Sequence, residues 1–191
     1  YAFSHFVMRN ARAILLATLV ILAIMGLPVK DIRVGPADSR SLPVSAQSRQ
    51  VQEALMAYFP ANELAPMLVV ARTRDALTTA ASLSALHTLT AEISADPAVT
   101  RVSGLLTLDP GLTLADYQML YKYPEQFPPA AEALAELSKD RTTLLYVFYK
   151  PDPTSVASRD LVARLRELPR PDGLEEVVVG GFPAFHLDYL D

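Results

Sequence analysis

The stretch from Ala13 to Val29, AILLATLVILAIMGLPV, holds no charge and is bounded by Arg9 and Arg12 on one side and Lys30 and Asp31 on the other. A helix over these roughly 17 residues, rising about 1.5 Å per residue, reaches some 26 Å, and snorkelling Arg and Lys ends extend it toward the hydrocarbon thickness. The expectation is a transmembrane helix. About ten Leu, Ile and Val residues, each contributing roughly -0.3 to -0.6 kcal/mol on an insertion scale, favour it. A buried core helix is the structural alternative, but the run has no polar face. A cleaved signal peptide is the other, but the run is long for one and no small-x-small site follows Val29. The chain opens on Tyr1, so it reads as a piece of something longer.

The remaining composition narrows the function classes. At 191 residues there is room for one ordinary domain and a small extra element. With 51% hydrophobic and 20% charged residues, a disordered chain is excluded. Net charge is -4, which offers no footprint for a polyanion and argues against nucleic acid as a partner. The absence of Cys removes disulfides, thiolate metal sites and thiol nucleophiles together.

After the apolar run, residues 31–47 are rich in Gly, Pro and Ser and read as a linker. Ser45 is placed to cap a helix over Ala46 to Phe59, with Val51, Leu55 and Phe59 forming one packing stripe and Pro60 stopping it. Met67 to Ala71 suits a buried strand. A helix follows from Asp75 to about Ser94, carrying Leu83, Leu86, Leu89 and Ile93 on one side. Val99 to Leu106 reads as a second strand. The segment 109–140 is the least legible, with helices around Thr113 to Tyr121 and Ala130 to Ser138. Its aromatic series Tyr117, Tyr121, Tyr123 and Phe127 suits either an amphiphile-binding surface or a core beneath a loop. Thr142 to Tyr149, TTLLYVFY, is apolar on both alternating faces, as in a strand covered on each side. Ser155 or Ser158 opens a helix with Leu161, Leu165 and Leu168, and Glu175 to Val179 closes the set as a strand. The order strand, helix, strand, strand, helix, strand predicts an α+β fold: a ferredoxin-like βαββαβ domain with an inserted segment, preceded by the transmembrane helix.

No catalytic centre emerges. His5, His87 and His186 are far apart and show no metal-ligand spacing, Ser, His and Asp form no nucleophile-elbow pattern, and Gly180-Gly181 lacks a phosphate-binding loop. Glu175 and Glu176 fall on opposite faces of a strand. The reading is a non-enzyme with no catalytic residues, metal or cofactor.

The assembled order resembles the opening of an MMPL-family transporter of the resistance-nodulation-division (RND) superfamily. The resemblance runs through VGPADSRSLPVSAQSRQVQEALMAYFP and VGGFPAFHLD, and covers nearly the whole chain. Its most specific piece is Gly180-Gly181 followed by Ala184 and Asp188, similar to the family's GG-x-x-A-x-x-x-D before a second transmembrane helix. Leu42-Pro43, Phe59-Pro60 and DPAVTRV from Asp96 to Val102 give weaker support.

The resemblance implies proton-gradient-driven export of lipidic or hydrophobic substrates across a bacterial inner membrane, with membrane lipids and the rest of a parent transporter as partners. The domains would be 1–30, flank and transmembrane helix; 31–65, linker and lead-in helix; 66–180, an exoplasmic porter-like domain; and 181–191, the approach to the next span. The flanking basic residues balance, so orientation rests on the resemblance, with residues 1–12 cytoplasmic and 30–191 exoplasmic. In this reading Gly180, Gly181, Ala184 and Asp188 couple the domain to the membrane helix, with both glycines supplying backbone angles closed to side chains and Asp188 near the helix start. The family's proton-relay residues lie in later helices. The alternative is a single-pass, membrane-anchored binding or sensor module with the same domain.

Overall fold

A computed structural model describes residues 9–27, 42–59 and 62–190. The chain divides into two compact units, Tyr1–Gly35 and Pro36–Asp191. The linker expected over 31–47 and His5 lie largely or wholly outside the described residues.

The first unit contains α1, Ala11–Gly26, and this helix corrects the reading of the apolar run. It is 16 residues long, and among the described residues no helix is long and apolar enough to cross a membrane. The sequence count fails at its C-terminal end. Arg12 stands inside the first turn, and the helix stops at Gly26, so the charge-free part, Ala13–Gly26, rises only roughly 21 Å against a hydrocarbon core of about 30 Å. Its apolar side chains from Leu15 to Leu27 stand exposed.

The second unit begins with α2, Gln47–Tyr58. Its N-cap position is Ala46, without a side-chain cap bond, rather than Ser45. The expected packing stripe is not formed: Val51 and Phe59 are more than half exposed. Asn62, at φ 59°, then fastens the chain to the sheet by donating from Nδ2 to the carbonyls of Tyr149 (2.8 Å) and Pro151 (2.7 Å).

The sheet is built from β1 (Met67–Thr73), β2 (Val99–Ser103), the two-residue β3 (Ser138–Lys139), β4 (Thr142–Tyr149) and β5 (Leu174–Gly180). The order is β2-β4-β1-β5, with β3 also on β4, and every neighbouring pair is antiparallel. Two helices connect the main strands: α3, Ala80–Ser94, between β1 and β2, and α6, Val156–Glu167, between β4 and β5. The chain is therefore α+β. Thr79 and Ser155 cap these helices by accepting from the amides of Ser82 and Ser158, each at 3.2 Å. Capping by Thr79 starts α3 five residues later than the Asp75 reading, and β2 ends at Ser103 rather than Leu106.

Alternation along each strand places Met67, Val69, Leu145, Val147 and Val179 on one face, where Leu86 and Leu89 of α3 and Leu161 and Leu165 of α6 cover them. Leu83, read on the same side of the helix as Leu86 and Leu89, turns to a second cluster with Leu105, Tyr117, Tyr121, Ala130 and Ala133. That cluster is the inserted segment, made of α4 (Leu114–Lys122), a short 3-10 turn at Pro124–Gln126 and α5 (Pro128–Leu137). Thr113 and Asp116 begin α4 with a reciprocal capping box. Four-residue spacing puts Tyr117 and Tyr121 on one helical face, where both are buried, whereas Tyr123 and Phe127 fall beyond α4 and are exposed. Tyr121 donates its hydroxyl to the Leu105 carbonyl, and burial raises its pKa far above the ordinary phenol range.

Candidate functional site

The motif singled out in the sequence forms the junction between β5 and the last helix, α7, Phe182–Leu190. Its two glycines do different jobs. Gly180 is a strand residue opposite Leu68, and a Cβ there would meet nothing closer than the Leu68 carbonyl oxygen at 3.9 Å. Gly181 has φ +99°, and a Cβ there would sit 3.1 Å from both Met67 Cα and the Pro66 oxygen. Only Gly181 has a backbone that excludes side chains, which corrects the expectation for the pair. The absent side chain lets α7 leave the sheet hard against the start of β1.

Ala184 is 1% exposed and belongs to the main core, so the segment packs into the domain as well as leaving it. Asp188 does not stand at the helix start. It lies six residues beyond Phe182, outside the first turn, where the positive end of the helix dipole offers it little. Its partner is Arg166 near the end of α6, which donates from Nη1 and Nη2 to the two carboxylate oxygens at 2.6 and 2.9 Å. The same Nη2 donates to the Val179 carbonyl at 3.2 Å. Arg166 thus ties α6, the end of β5 and α7 together through one planar fork. Its hydrogen bonds hold the Asp188 carboxyl below the usual aspartate range. Sequence gave no signal for this clamp, because the partners are 22 residues apart and meet only through packing of the helices.

His186, within the segment read as the approach to a further span, is instead 3% exposed inside the domain, with neither ring nitrogen hydrogen-bonded. Phe182, one turn earlier, has its ring centroid 6.4 Å away. His87 lies on the exposed side of α3. Among the described residues no group of three or more His, Asp or Glu converges as metal ligands would.

Two clefts open on this unit, one of them beside the junction. One, of about 240 Å³, runs beside β5 between Leu165, Arg166, Leu168, Arg170 and Val177. Arg166 and Arg170 donate there to the carbonyls of Val179 and Glu175, covering part of the free edge of the sheet. The other, of about 270 Å³, lies between α2 and the turn after β4. Leu55, Phe59, Leu64 and Pro153 make it mainly apolar, with Asn62, Glu63, Lys150 and Asp152 at its rim. Its wall is braced by Tyr149, whose hydroxyl donates to the Ala65 carbonyl at 3.1 Å. Burial raises the pKa of that hydroxyl well above the ordinary phenol range. Such an apolar recess with a few polar groups suits a small hydrophobic or amphiphilic molecule better than a reacting polar substrate.

Compared with known proteins, no family model matches this chain, and no curated protein does.

Proposed function

We propose that the α+β domain is the exoplasmic part of a substrate path in a longer, proton-motive-force-driven transporter for lipid or hydrophobic substrates, and not an enzyme. The membrane-embedded machinery belongs to the parent protein rather than to any helix described here. The observation that supports this most is the clamp of Arg166 on Asp188 and the Val179 carbonyl, together with the close passage at Gly181. A displacement applied to α7 passes directly to β5 and α6, because the joint has no slack residue between helix and sheet. A rigid-body movement of a helix is passed on to a substrate-facing domain by a stiff connection of this kind. The apolar recess beside α2 adds a surface that a hydrophobic substrate can touch.

The test is Asp188→Asn in the parent transporter, with membrane abundance and energy-dependent efflux of a lipophilic fluorescent dye measured separately. Normal abundance with impaired efflux is the expected result, and exchanging the charges in an Arg166→Asp, Asp188→Arg double variant should recover part of it. Undiminished efflux by Asp188→Asn would remove the coupling role.

A further inference from the structure

Strand β5 closes one side of the sheet, with β1 as its neighbour. The direction of its main-chain groups follows from two bonds at the end of β1. The Thr73 amide donates to the Arg141 carbonyl ahead of β4, and the Arg74 amide donates to the Gly173 carbonyl ahead of β5. Successive residues of β1 therefore turn alternately to β4 and β5, which sets Leu68, Val70 and Arg72 toward β5 and their register partners Gly180, Val178 and Glu176 toward β1. Val177 and Val179 are left facing outward. Arg166 already donates to the Val179 carbonyl at 3.2 Å, and Arg170 donates to that of Glu175. Between them, neither the N–H nor the C=O of Val177 has a hydrogen-bond partner among the described residues. The cleft of about 240 Å³ lies along this gap. The Val177 side chain packs toward the core, on the helix side of the sheet, and Leu165 and Leu168 line the cleft beside it. The charges there are unequal. Arg141 takes Glu175 at 3.5 Å, Arg72 takes Glu176 at 3.9 Å and Arg166 holds Asp188. Arg170 is exposed and stands within ion-pair distance of no carboxylate among the described residues.

We propose that this edge receives an extended acidic segment of a partner polypeptide, which adds to β5 as a further antiparallel strand. An extended main chain offers both an acceptor and a donor at the spacing that Val177 sets, and a hydrocarbon ligand offers neither. The residue opposite Val177 exchanges both bonds with it and, because cross-strand partners share a face, sets its side chain over Leu165 and Leu168. A residue two positions along returns to that face, beside Arg170, where a carboxylate completes a charge pair. The segment recognised is thus an apolar residue with an acidic one two positions away. Arg166 and Arg170 hold the flanking carbonyls, so pairing centres on Val177 and the contact is short and weak.

The probe is a fluorescein-labelled synthetic peptide with Val at its centre, Glu two positions to either side and Thr elsewhere. It is titrated with the full chain in nonionic detergent, which covers the apolar side chains of α1, and read by fluorescence anisotropy. Saturable binding is expected. Methylating the central Val nitrogen of the peptide removes the donor to the Val177 carbonyl and should weaken binding by about tenfold or more. Replacing both Glu by Lys should weaken it to a similar degree, and Arg170→Glu should reverse the preference between the two peptides while keeping the parent's urea midpoint. Val177→Pro removes the outward N–H, a loss that an edge strand tolerates, and should also weaken binding. No saturable binding of the Glu peptide, equal binding of its N-methyl form, or an unchanged preference in Arg170→Glu overturns the proposal. So does a concentration-dependent dimer of the parent that Val177→Pro dissociates, since the edge then belongs to a second copy.

Discussion

Replacing Gly181 and Gly180 in turn by Ala separates backbone constraint from mere proximity to the junction. At Gly181 the added Cβ arrives 3.1 Å from Met67 Cα and the Pro66 oxygen and 3.3 Å from the Leu68 amide nitrogen, all backbone atoms. No rotamer change can move them aside. A positive φ costs an L-residue about 1 to 2 kcal/mol, and forcing atoms into a packed site adds about 1 to 3. Gly181→Ala should therefore lose roughly 2 to 5 kcal/mol, a large share of the about 5 to 15 kcal/mol that stabilises an ordinary domain. At Gly180 the φ is not positive and the nearest atom lies at 3.9 Å, so Ala should cost nothing or stabilise by about 0.4 to 1 kcal/mol through lost unfolded-state entropy. Urea unfolding followed by tyrosine fluorescence reads both, since the chain has 8 Tyr and no Trp. A Gly181→Ala midpoint within error of the parent would refute the account of the junction, and equal losses at both glycines would show that the positive φ is not what matters.

Leu145→Ala and Leu165→Ala, each at a side chain 4% exposed in the main core, should cost about 2 to 5 kcal/mol in the same assay, whereas losses near 0.5 kcal/mol at both would mean the core is misassigned. His186→Leu should raise stability by about 1 kcal/mol, because it removes a buried imidazole without hydrogen bonds while keeping an apolar side chain of similar bulk; a clear loss would mean the ring has a partner. Hydrogen bonds from Arg164 and Arg166 hold Asp96 and Asp188 below the ordinary aspartate range. A lowered native pKa gives stability that is complete above the unfolded value, near 3.9, and is lost as pH falls through the native one. Unfolding midpoints should therefore decline below about pH 4, and the Asp96→Asn, Asp188→Asn double variant should decline less steeply.

What the sequence made legible follows from the range of the interaction involved. The four long strands were readable because β-branched and apolar runs such as MLVVA and TTLLYVFY are bounded by breakers. The end of α3 at Ser94 was readable, but its start was not, since Asp75 and Thr79 are both capping types and only the fold selects Thr79. The apolar run misled because composition gives hydrophobicity without helix ends, and the helix ends at Gly26 rather than at Val29. At the junction, Gly181 was visible as a glycine, yet nothing in the local pattern separates it from Gly180. The Arg166 to Asp188 clamp had no local signature at all.

The junction after β5 gathers features that work against stability, and that concentration bears on its role. Gly181 holds an unusual backbone angle, which glycine alone makes cheap, and it adds chain entropy to the unfolded state. His186 keeps two ring nitrogens out of water with nothing bonded to either, at a cost of about 1 to 3 kcal/mol that a leucine would avoid. Ala184 places a small side chain where α7 meets the core, buried to 1% exposure. A helix needed only to close a core gains from an apolar residue at His186. Selection for stability alone does not explain His186, whereas the coupling role proposed above is served by close backbone contact and a directional Arg clamp. The fork of Arg166 supplies the direction, because its planar geometry fixes both carboxylate oxygens of Asp188 and the carbonyl of Val179 at once.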